Sequence, residues 1–213
     1  YYRVRQDCTG ASSGYSSNSS QGSFKTACST ITTLPFVETF ESTSTTRDCW
    51  TVRDGNADGY KWILSTTNPY AGTECYRLYT DFNTVNQDYL VSPKLTLTGN
   101  QRLKFWTRAQ TAGEPDEIKV KISTSGNAIA DFTATAMAST AIANITYVEY
   151  IVDLSAYSTD VYIAFVRENA PADGYYLHVD NVTVENIPAC VTPTAISVSG
   201  ITTSGASINF TSA

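Results

Sequence analysis

The stretch EIKVKIS, residues 117–123, alternates apolar and polar side chains with the two-residue period of a β-strand. Ile118, Val120 and Ile122 therefore share one face, which we expect to point toward a core, while the two intervening lysines face solvent. Such a half-solvated strand is typical of antiparallel sheets, in which one face packs and the other meets water.

Similar strand-like runs recur along the chain, separated by turn-forming clusters such as TSGN, PADG and LTGN. Helical periodicity is almost absent, and the one segment with helical potential, residues 128–143, is weakened by its threonines. Short strands at regular spacing predict an all-β fold of the β-sandwich type. The other predicted strands are residues 103–108, 147–152, 161–167 and 175–184.

The composition is that of an acidic chain that can fold. The 213 residues are 42% hydrophobic, which is enough to bury a core. Because 20 Asp and Glu oppose 14 Lys and Arg and no basic cluster occurs, we expect no nucleic-acid binding. No apolar run approaches the ~20 residues that span a bilayer, so we expect no membrane insertion. The N-terminus lacks a signal-peptide pattern, and any export signal is expected outside this sequence.

The residue usage also indicates a compartment. Charged residues are only 16%, while Ser, Thr, Tyr and Asn abound, which favours an extracellular or cell-surface location. Five cysteines show no CxxC spacing, so disulfides are expected rather than zinc or redox chemistry. Spacing does not reveal the connectivity, but Cys49 and Cys75 each lie beside an aromatic residue at a predicted strand edge and form the preferred pair. An odd count leaves at least one cysteine unpaired within the chain.

A polar segment, CWTVRDGNADGYKW at residues 49–62, carries Asp54, Asn56 and Asp58 at alternate positions before a glycine. This D-x-N-x-D-G spacing matches the first half of an EF-hand calcium loop. The second half does not match, because the twelfth position is Ser65 where a bidentate glutamate is needed. The alternative is a polar hairpin turn between two short strands. The segment by itself leaves both interpretations open.

The two ends of the chain differ from its middle. The N-terminal end contains YYRVRQDC and GSFKT, which look like the last two strands of a β-sandwich. The C-terminal end contains CVTPTAISVSGITTSGASINFTS, which looks like the first two strands of another. Both resemble parts of fibronectin type III modules. We therefore expect residues 1–27 and residues 188–213 to be partial fibronectin III-like modules on either side of a central domain, residues 28–187.

The central segment, residues 34–185, contains seven signatures in a fixed order. They are PFVETFE (35–41), CWTVRDGNADGYKW (49–62), NQDYLVSPKL (86–95), LKFWTRAQ (103–110), VKISTSG (120–126), VDLSAY (152–157) and VYIAFVRENAPADGYYLHVDNVTV (161–184). Each is weak alone, but in this order the segment resembles the cleaved-adhesin domains of gingipain-type haemagglutinins, together with the related MAM and choice-of-anchor modules of bacterial surface proteins. The resemblance implies a jelly-roll β-sandwich.

The same resemblance implies a structural calcium ion where the first strand meets the last, with the acidic loop contributing nearby. Asn181 stands where the family often has a second aspartate, so a weaker or single calcium site is expected. Crowded carboxylates at strand ends repel one another unless a cation neutralises them. The implied calcium ligands are Glu38, Glu41, Asp54, Asn56, Asp58, Asp180 and Asn181.

Catalysis is not expected. His178 is the only histidine, and it alternates with Tyr176 and Asp180 on one strand face, which indicates a strand position rather than a general base. Neither a G-x-S-x-G nor an HExxH motif is present. The acidic residues of GEPDEIK, residues 113–119, are expected in a solvated turn.

The resemblance implies instead an adhesive module that binds glycans or host or matrix proteins. Jelly rolls often bind sugars through exposed aromatic rings that stack on the pyranose face. The segment 167–176 is the preferred contact surface, because proline, glycine and two tyrosines lie there beside a strand end. The candidate ligand-binding residues are Tyr60, Tyr70, Tyr175 and Tyr176, whereas Trp50, Trp62 and Trp106 are expected in the core.

Two other functions remain compatible with the sequence. The domain could be a structural spacer in a surface filament, with neighbouring modules of the same chain as its partners. It could also be an accessory module carried by a secreted hydrolase. Binding by the isolated domain would separate the adhesive module from the spacer.

Overall fold

Two antiparallel sheets of six strands each form the central part of the protein in the computed structural model. The structure describes residues 3–5, 15, 17–20, 28–81, 83–168, 174–189 and 194–211. The strands are β1 (Phe36–Glu38), β2 (Thr51–Asp54), β3 (Ile63–Ser65), β4 (Cys75–Tyr79), β5 (Asp88–Val91), β6 (Leu95–Thr96), β7 (Gln101–Ala109), β8 (Asp116–Ser123), β9 (Ala134–Ile142), β10 (Val148–Asp153), β11 (Asp160–Arg167), β12 (Tyr176–Asn186), β13 (Thr194–Ser199) and β14 (Ser207–Thr211).

Strands that are far apart in sequence lie side by side in both sheets. The first sheet has the order β10-β7-β12-β4-β3, with β1 also paired to β12, and the second has the order β2-β5-β11-β8-β9, with β6 also paired to β11. The helical segments of the described residues are two single 3₁₀ turns, Arg47–Cys49 and Ile129–Asp131. The all-β sandwich that the sequence predicts is confirmed.

The core lies between the two sheets, and the long strands β7 and β8 fill it with every second residue. In β8, Ile118, Val120 and Ile122 are buried while the intervening lysines are partly exposed, as the alternation predicts. Phe105 of β7 and Phe165 of β11 meet across the sheets with ring centroids 4.8 Å apart. Because both rings are fully buried, this contact joins the two layers at the centre of the sandwich.

The tryptophan prediction is correct for two residues and wrong for the third. Trp50 and Trp62 are buried, with 7% and 1% of their surface exposed. Trp106 lies instead on the outer face of the first sheet, because its neighbours in β7, Phe105 and Thr107, point into the core. It is covered there by Tyr70, whose ring stacks on it at 4.0 Å.

The disulfide prediction is wrong: Cys49 is bonded to Cys28, with their Cα atoms 5.7 Å apart, and not to Cys75. Cys49 ends the 3₁₀ turn that leads into the second sheet, whereas Cys75 begins β4 in the first sheet. Cys75 is a buried free thiol, and its Sγ lies 3.7 Å from His178 Nδ1. Cys8 and Cys190 lie outside the described residues.

The prediction that the acidic residues of GEPDEIK, residues 113–119, lie in a solvated turn is wrong for Asp116. Asp116 begins β8 and is fully buried, where it accepts a hydrogen bond at 2.9 Å from Nε of the equally buried Arg167. Asp116 also accepts from Thr80 Oγ1 at 2.5 Å and from the Glu117 backbone amide at 2.9 Å. The sequence pattern missed this pair because its two members lie 51 residues apart and meet only through the β8–β11 pairing.

The ends of the chain are described only in part. β13 and β14 form an antiparallel hairpin whose large apolar side chains, such as Ile196 and Phe210, are exposed. Most of residues 1–27 lie outside the described part of the chain. The fibronectin-like assignment of both ends, and the boundaries at residues 28 and 187, stay predictions. No helix of the described ranges has the length and apolar character needed to cross a membrane.

Candidate functional site

A cleft with a volume of about 360 Å³ opens beside strands β3, β4 and β12 of the first sheet. The segment that joins β2 to β3 forms one wall, and the outward-facing residues of β4 and β12 form the other. Alternation along these strands brings Arg77, Tyr79 and Tyr176 to the cleft while Leu78 and Leu177 enter the core. The lining residues are Gly59, Tyr60, Lys61, Ile63, Arg77, Tyr79 and Tyr176.

Four tyrosines form a continuous aromatic cluster at this cleft. Tyr79 is central, with ring centroids 4.7 Å from Tyr60, 5.2 Å from Tyr176 and 5.9 Å from Tyr175. Tyr60 and Tyr175 are 45% and 39% exposed, so part of the cluster is open to solvent. An array of this kind offers flat apolar ring faces together with hydroxyl groups that can donate and accept hydrogen bonds.

Two cationic side chains accompany the tyrosines. The Arg77 guanidinium lies over the Tyr176 ring, 4.2 Å from its centroid, and Lys61 lines the same cleft. Because Arg77 lines the cleft, its guanidinium N–H groups can donate hydrogen bonds to a ligand oxygen there. Of the tyrosines that the sequence predicts as ligand residues, Tyr60 and Tyr176 line the cleft, and Tyr175 packs beside it against Tyr79. Arg77 and Tyr79 were not predicted, because their strand CYRLY carries no ligand signal.

Tyr70, the fourth predicted ligand residue, lies elsewhere on the first sheet. Its ring stacks on Trp106 with an interplanar angle of 11°, and its edge contacts Tyr147 at 5.4 Å. Its backbone amide donates to Asp180 Oδ2 at 2.8 Å, which holds the loop after β3 against the sheet. Tyr70 does not line the cleft, and its described contacts are those of a loop anchor.

The predicted calcium ligands at the first and last strands do come together. β1 pairs with β12 so that Glu38 lies opposite Val182, directly beyond Asp180 and Asn181. The Glu41 charge is close enough to Asp180 to act on it: burial, opposed by backbone hydrogen bonds and assisted by Glu41, raises the pKa of Asp180 to about 6. We call Glu38, Glu41, Asp180 and Asn181 the seam residues.

Most oxygens of the seam residues already accept hydrogen bonds from the protein. Glu38 accepts from the Phe40 amide and the Thr46 hydroxyl, at 2.8 and 2.6 Å. Glu41 accepts from the amide and hydroxyl of Thr73, both at 2.7 Å, and Asp180 accepts three backbone amides. Asn181 Oδ1 is the one seam oxygen recorded as buried without a partner. The seam thus fits calcium only in part, and its binding stays a prediction.

The polar segment of residues 49–62 forms a turn around Asp54, Asn56 and Asp58, but this turn is not a hairpin. It connects β2 of the second sheet to β3 of the first, so the strands on either side do not pair with each other. Gly59 adopts φ +88°, and its amide donates to Asp54 Oδ2 at 3.0 Å, while Asp58 Oδ1 accepts the Tyr60 amide at 2.8 Å. Asp54 Oδ1 and Asn56 Oδ1 are buried and have no hydrogen-bond partner within the part of the chain that the structure describes.

The loop and seam ligand sets are separate in the structure. The described hydrogen bonds and ion pairs include none that joins Asp54, Asn56 or Asp58 to a seam residue. Across the ranges that the structure covers, no three carboxylate, imidazole or thiol groups converge as a ready-made metal cluster. Any ion at either place therefore requires amide, backbone or water oxygens besides the carboxylates.

The one histidine is not arranged for base catalysis. Burial, with the nearby charges of Arg108 and Arg77, lowers the pKa of His178 to about 4, and its Nε2 lies 3.0 Å from Gln110 Oε1. Burial also raises the pKa of the neighbouring Cys75 thiol to about 11. Near neutral pH the pair is a neutral imidazole beside a neutral thiol, whereas a nucleophilic cysteine needs the thiolate.

Comparison with known proteins places the central domain in a family. The Cleaved Adhesin Domain model matches residues 33–184. Hemagglutinin A of Porphyromonas gingivalis is 31% identical over 176 residues, which cover 69% of this chain. The same match covers 7% of that protein, so the chain corresponds to a small part of its curated relative.

Solved structures share the fold. The K1 Cleaved Adhesin domain of Lys-gingipain from Porphyromonas gingivalis W83 is 25% identical with a TM-score of 0.60, covering 73% of this chain and all of that domain. The CBM22-1-CBM22-2 tandem domain from Paenibacillus barcinonensis Xyn10C is 15% identical with a TM-score of 0.50, covering 81% of this chain and 52% of the tandem. The second likeness concerns the fold alone.

Proposed function

Because this chain belongs to the cleaved-adhesin domain family, we propose that it is a non-catalytic adhesion module that binds glycans through the tyrosine-lined cleft. The relative named Hemagglutinin A supports an extracellular or surface role within a larger, multidomain protein. The single observation that carries the proposal is the aromatic cluster at the cleft, in which Tyr60, Tyr79 and Tyr176 line the concave site and Tyr175 packs against two of them.

The chemistry of the cleft suits a saccharide. A pyranose ring has an apolar face that stacks on an aromatic ring, and hydroxyl groups at its edge that need hydrogen-bond partners. Tyr60 and Tyr175 offer exposed ring surface, and Arg77 and Lys61 offer N–H donors beside them. Since the aromatic cluster is held together by its own ring contacts, little side-chain entropy remains to be lost on binding.

Replacing Tyr60 or Tyr176 by alanine should weaken glycan binding by at least about tenfold, because Tyr60 is an exposed ring of the cleft and the Tyr176 ring supports the Arg77 guanidinium there. A glycan array identifies a ligand for the wild-type domain, and titration calorimetry with that ligand measures the loss. Tyr162→Ala is the matched control, since Tyr162 is a partly buried tyrosine on β11 of the opposite sheet. It should bind like the wild type.

The outcomes separate the candidate functions. Saturable binding that survives both cleft substitutions would place the ligand elsewhere on the domain. If the domain binds a host or matrix protein but no glycan, and the cleft variants lose that binding, then the cleft is the binding site and its ligand is a protein. If the domain binds none of the glycans and proteins tested, the result favours the spacer function and overturns the proposal.

The proposed module also holds structural calcium, as its family resemblance implies. The seam residues support this through one amide oxygen without a partner among the described residues, Asn181 Oδ1, and through the effect of the Glu41 charge, which helps to raise the pKa of Asp180. A bound divalent ion would offset the repulsion between these carboxylates and would keep β1 on β12. Glycan binding at the cleft does not depend on this part of the proposal.

A further inference from the structure

The cleft carries two positive charges, those of Arg77 and Lys61, which we call the cleft cations. Both line the cleft, and among the described residues neither side chain forms an ion pair or a hydrogen bond. Cations elsewhere on the sandwich do have such partners, as Lys119 and Lys121 have in Glu168. The chain as a whole has a formal net charge of −6 at pH 7, so the two cleft cations stand against an acidic background.

Strand register surrounds Arg77 with groups that are neutral near pH 7. It lies opposite Ile63 of β3 on one side and opposite His178 of β12 on the other. Burial lowers the pKa of His178 to about 4, so this imidazole carries no charge at neutral pH. Along β4, Arg77 shares its face with Cys75 and Tyr79, and burial raises the pKa of both side chains, that of Cys75 to about 11. The adjoining positions of the sheet therefore supply Arg77 with no counter-charge.

The carboxylates of the surrounding loops are engaged in hydrogen bonds of their own. Asp58 lies in the turn that forms one wall of the cleft, and its two oxygens accept the Tyr60 amide at 2.8 Å and Asn56 Nδ2 at 2.7 Å. Asp81 follows β4, and both of its oxygens accept hydrogen bonds from its own loop. Asp180 accepts three backbone amides. Since none of the three forms a described ion pair with a cleft cation, both cations remain available to a ligand.

The Arg77 guanidinium is held in place before any ligand arrives. It lies over the Tyr176 ring, 4.2 Å from the centroid, and that ring is itself packed against Tyr79 and Tyr175 at 5.2 and 4.4 Å. A guanidinium stacked in this way presents its N–H groups in a planar fork, which matches two oxygens of a carboxylate or a sulfate. Because the stack restricts the side chain beforehand, little of its freedom remains to be lost on binding.

We propose that the saccharide bound by this cleft is acidic, and that its carboxylate or sulfate group pairs with Arg77 while a sugar ring stacks on the exposed Tyr60. This inference rests on the proposed glycan-binding function of the cleft. A neutral sugar would leave both cleft cations without a counter-charge, whereas an anionic group accepts charge-assisted hydrogen bonds, which are about twice as strong as neutral ones. Lys61 is exposed and flexible, so it adds attraction without fixing the orientation of the ligand.

Matched acidic and neutral saccharides test the proposal on the full chain. The pairs are oligogalacturonate with its carboxyl-reduced form, sialyllactose with lactose, and a heparin oligosaccharide with its desulfated form, and calorimetry measures each Kd. The acidic member of at least one pair should bind at least about tenfold more tightly than its neutral partner. The preference should shrink as salt rises from about 0.05 to about 0.5 M. The first two pairs test a carboxylate and the third a sulfate, so the result also identifies the anionic group.

Substitutions that remove one charge assign the preference to the cleft. Arg77→Gln should reduce the preference to less than about threefold, whereas Tyr60→Ala should weaken the acidic and neutral members by similar factors. Lys61→Gln changes an exposed side chain, serves if Arg77→Gln fails to fold, and should weaken binding of the acidic member alone. Arg53→Gln is the matched control and should keep the preference, because it removes the same charge from β2 of the opposite sheet, where Arg53 donates to Asn127.

The outcomes separate this inference from the function on which it rests. If acidic and neutral members bind equally, and Tyr60→Ala abolishes both, the inference is overturned and the glycan-binding cleft stands. A preference that survives both Arg77→Gln and Lys61→Gln also overturns the inference, since the anionic group is then bound elsewhere. If the domain binds no glycan at all, the proposed function fails and the inference fails with it.

Discussion

Asp116→Ala is expected to lower the free energy of unfolding by about 3–5 kcal/mol, because it leaves the Arg167 guanidinium buried without its carboxylate. Both side chains are fully inaccessible to solvent, and the bond from Arg167 Nε to Asp116 Oδ1 is 2.9 Å long. Among the residues that the structure describes, the terminal nitrogens of Arg167 have no hydrogen-bond partner, and Glu117 Oε2 lies 3.8 Å from one of them. Urea unfolding followed by tryptophan fluorescence measures the loss.

The expected loss of stability arises because the Arg167 charge is left buried without a carboxylate, and not because the Asp116–Arg167 ion pair is itself strongly stabilising. Burial raises the pKa of Asp116 in spite of Thr80 and Arg167, which lower it, so desolvation outweighs the attraction. The double change Asp116→Leu with Arg167→Met should therefore recover a large part of the lost stability. Glu185→Ala is the control at the surface, where Arg102 contacts Glu185 at 2.6 Å, and should cost less than about 1 kcal/mol. A loss of the same small size for Asp116→Ala would contradict this account.

Replacing both Cys28 and Cys49 by serine is expected to lower the free energy of unfolding by about 2–4 kcal/mol. The bond closes a segment of 21 residues, and its removal lets the unfolded chain sample many more conformations. The segment contains β1, the seam residues Glu38 and Glu41, and the 3₁₀ turn that leads into β2. The loss should appear as a lower midpoint in urea, with the β-sheet signal of the folded state kept.

Cys75→Ala is the matched control for the disulfide. Cys75 is a buried free thiol, so its replacement should leave the bond intact and cost clearly less than the double change. Peptide mapping without reductant gives an independent answer, since it should recover Cys28 linked to Cys49. A Cys49–Cys75 peptide, or an unchanged midpoint for the double serine variant, would show that the assigned bond does not stabilise the domain.

The candidate sites were predicted in part, and the misses have a common cause. Asp54, Asn56 and Asp58 stand out in the sequence because a local turn spaces them regularly, and Tyr175 and Tyr176 stand out beside a proline and glycine segment. Arg77 and Tyr79 have no such local pattern, since both lie in a short strand. Their place in a candidate site is visible only from their neighbours across the sheet, which are tens of residues away in the chain.

The sequence by itself determined the all-β class, because the two-residue alternation of apolar side chains in strands such as β8 is a local property of the chain and requires each sheet to bury one face. Its ordered signatures also identified the family. Only the tertiary structure decided which cysteine Cys49 meets, that Trp106 faces outward, and that Asp116 is buried. Those outcomes depend on which distant strands become neighbours, and strand pairing in a jelly roll joins segments whose separation leaves no periodic trace in the chain.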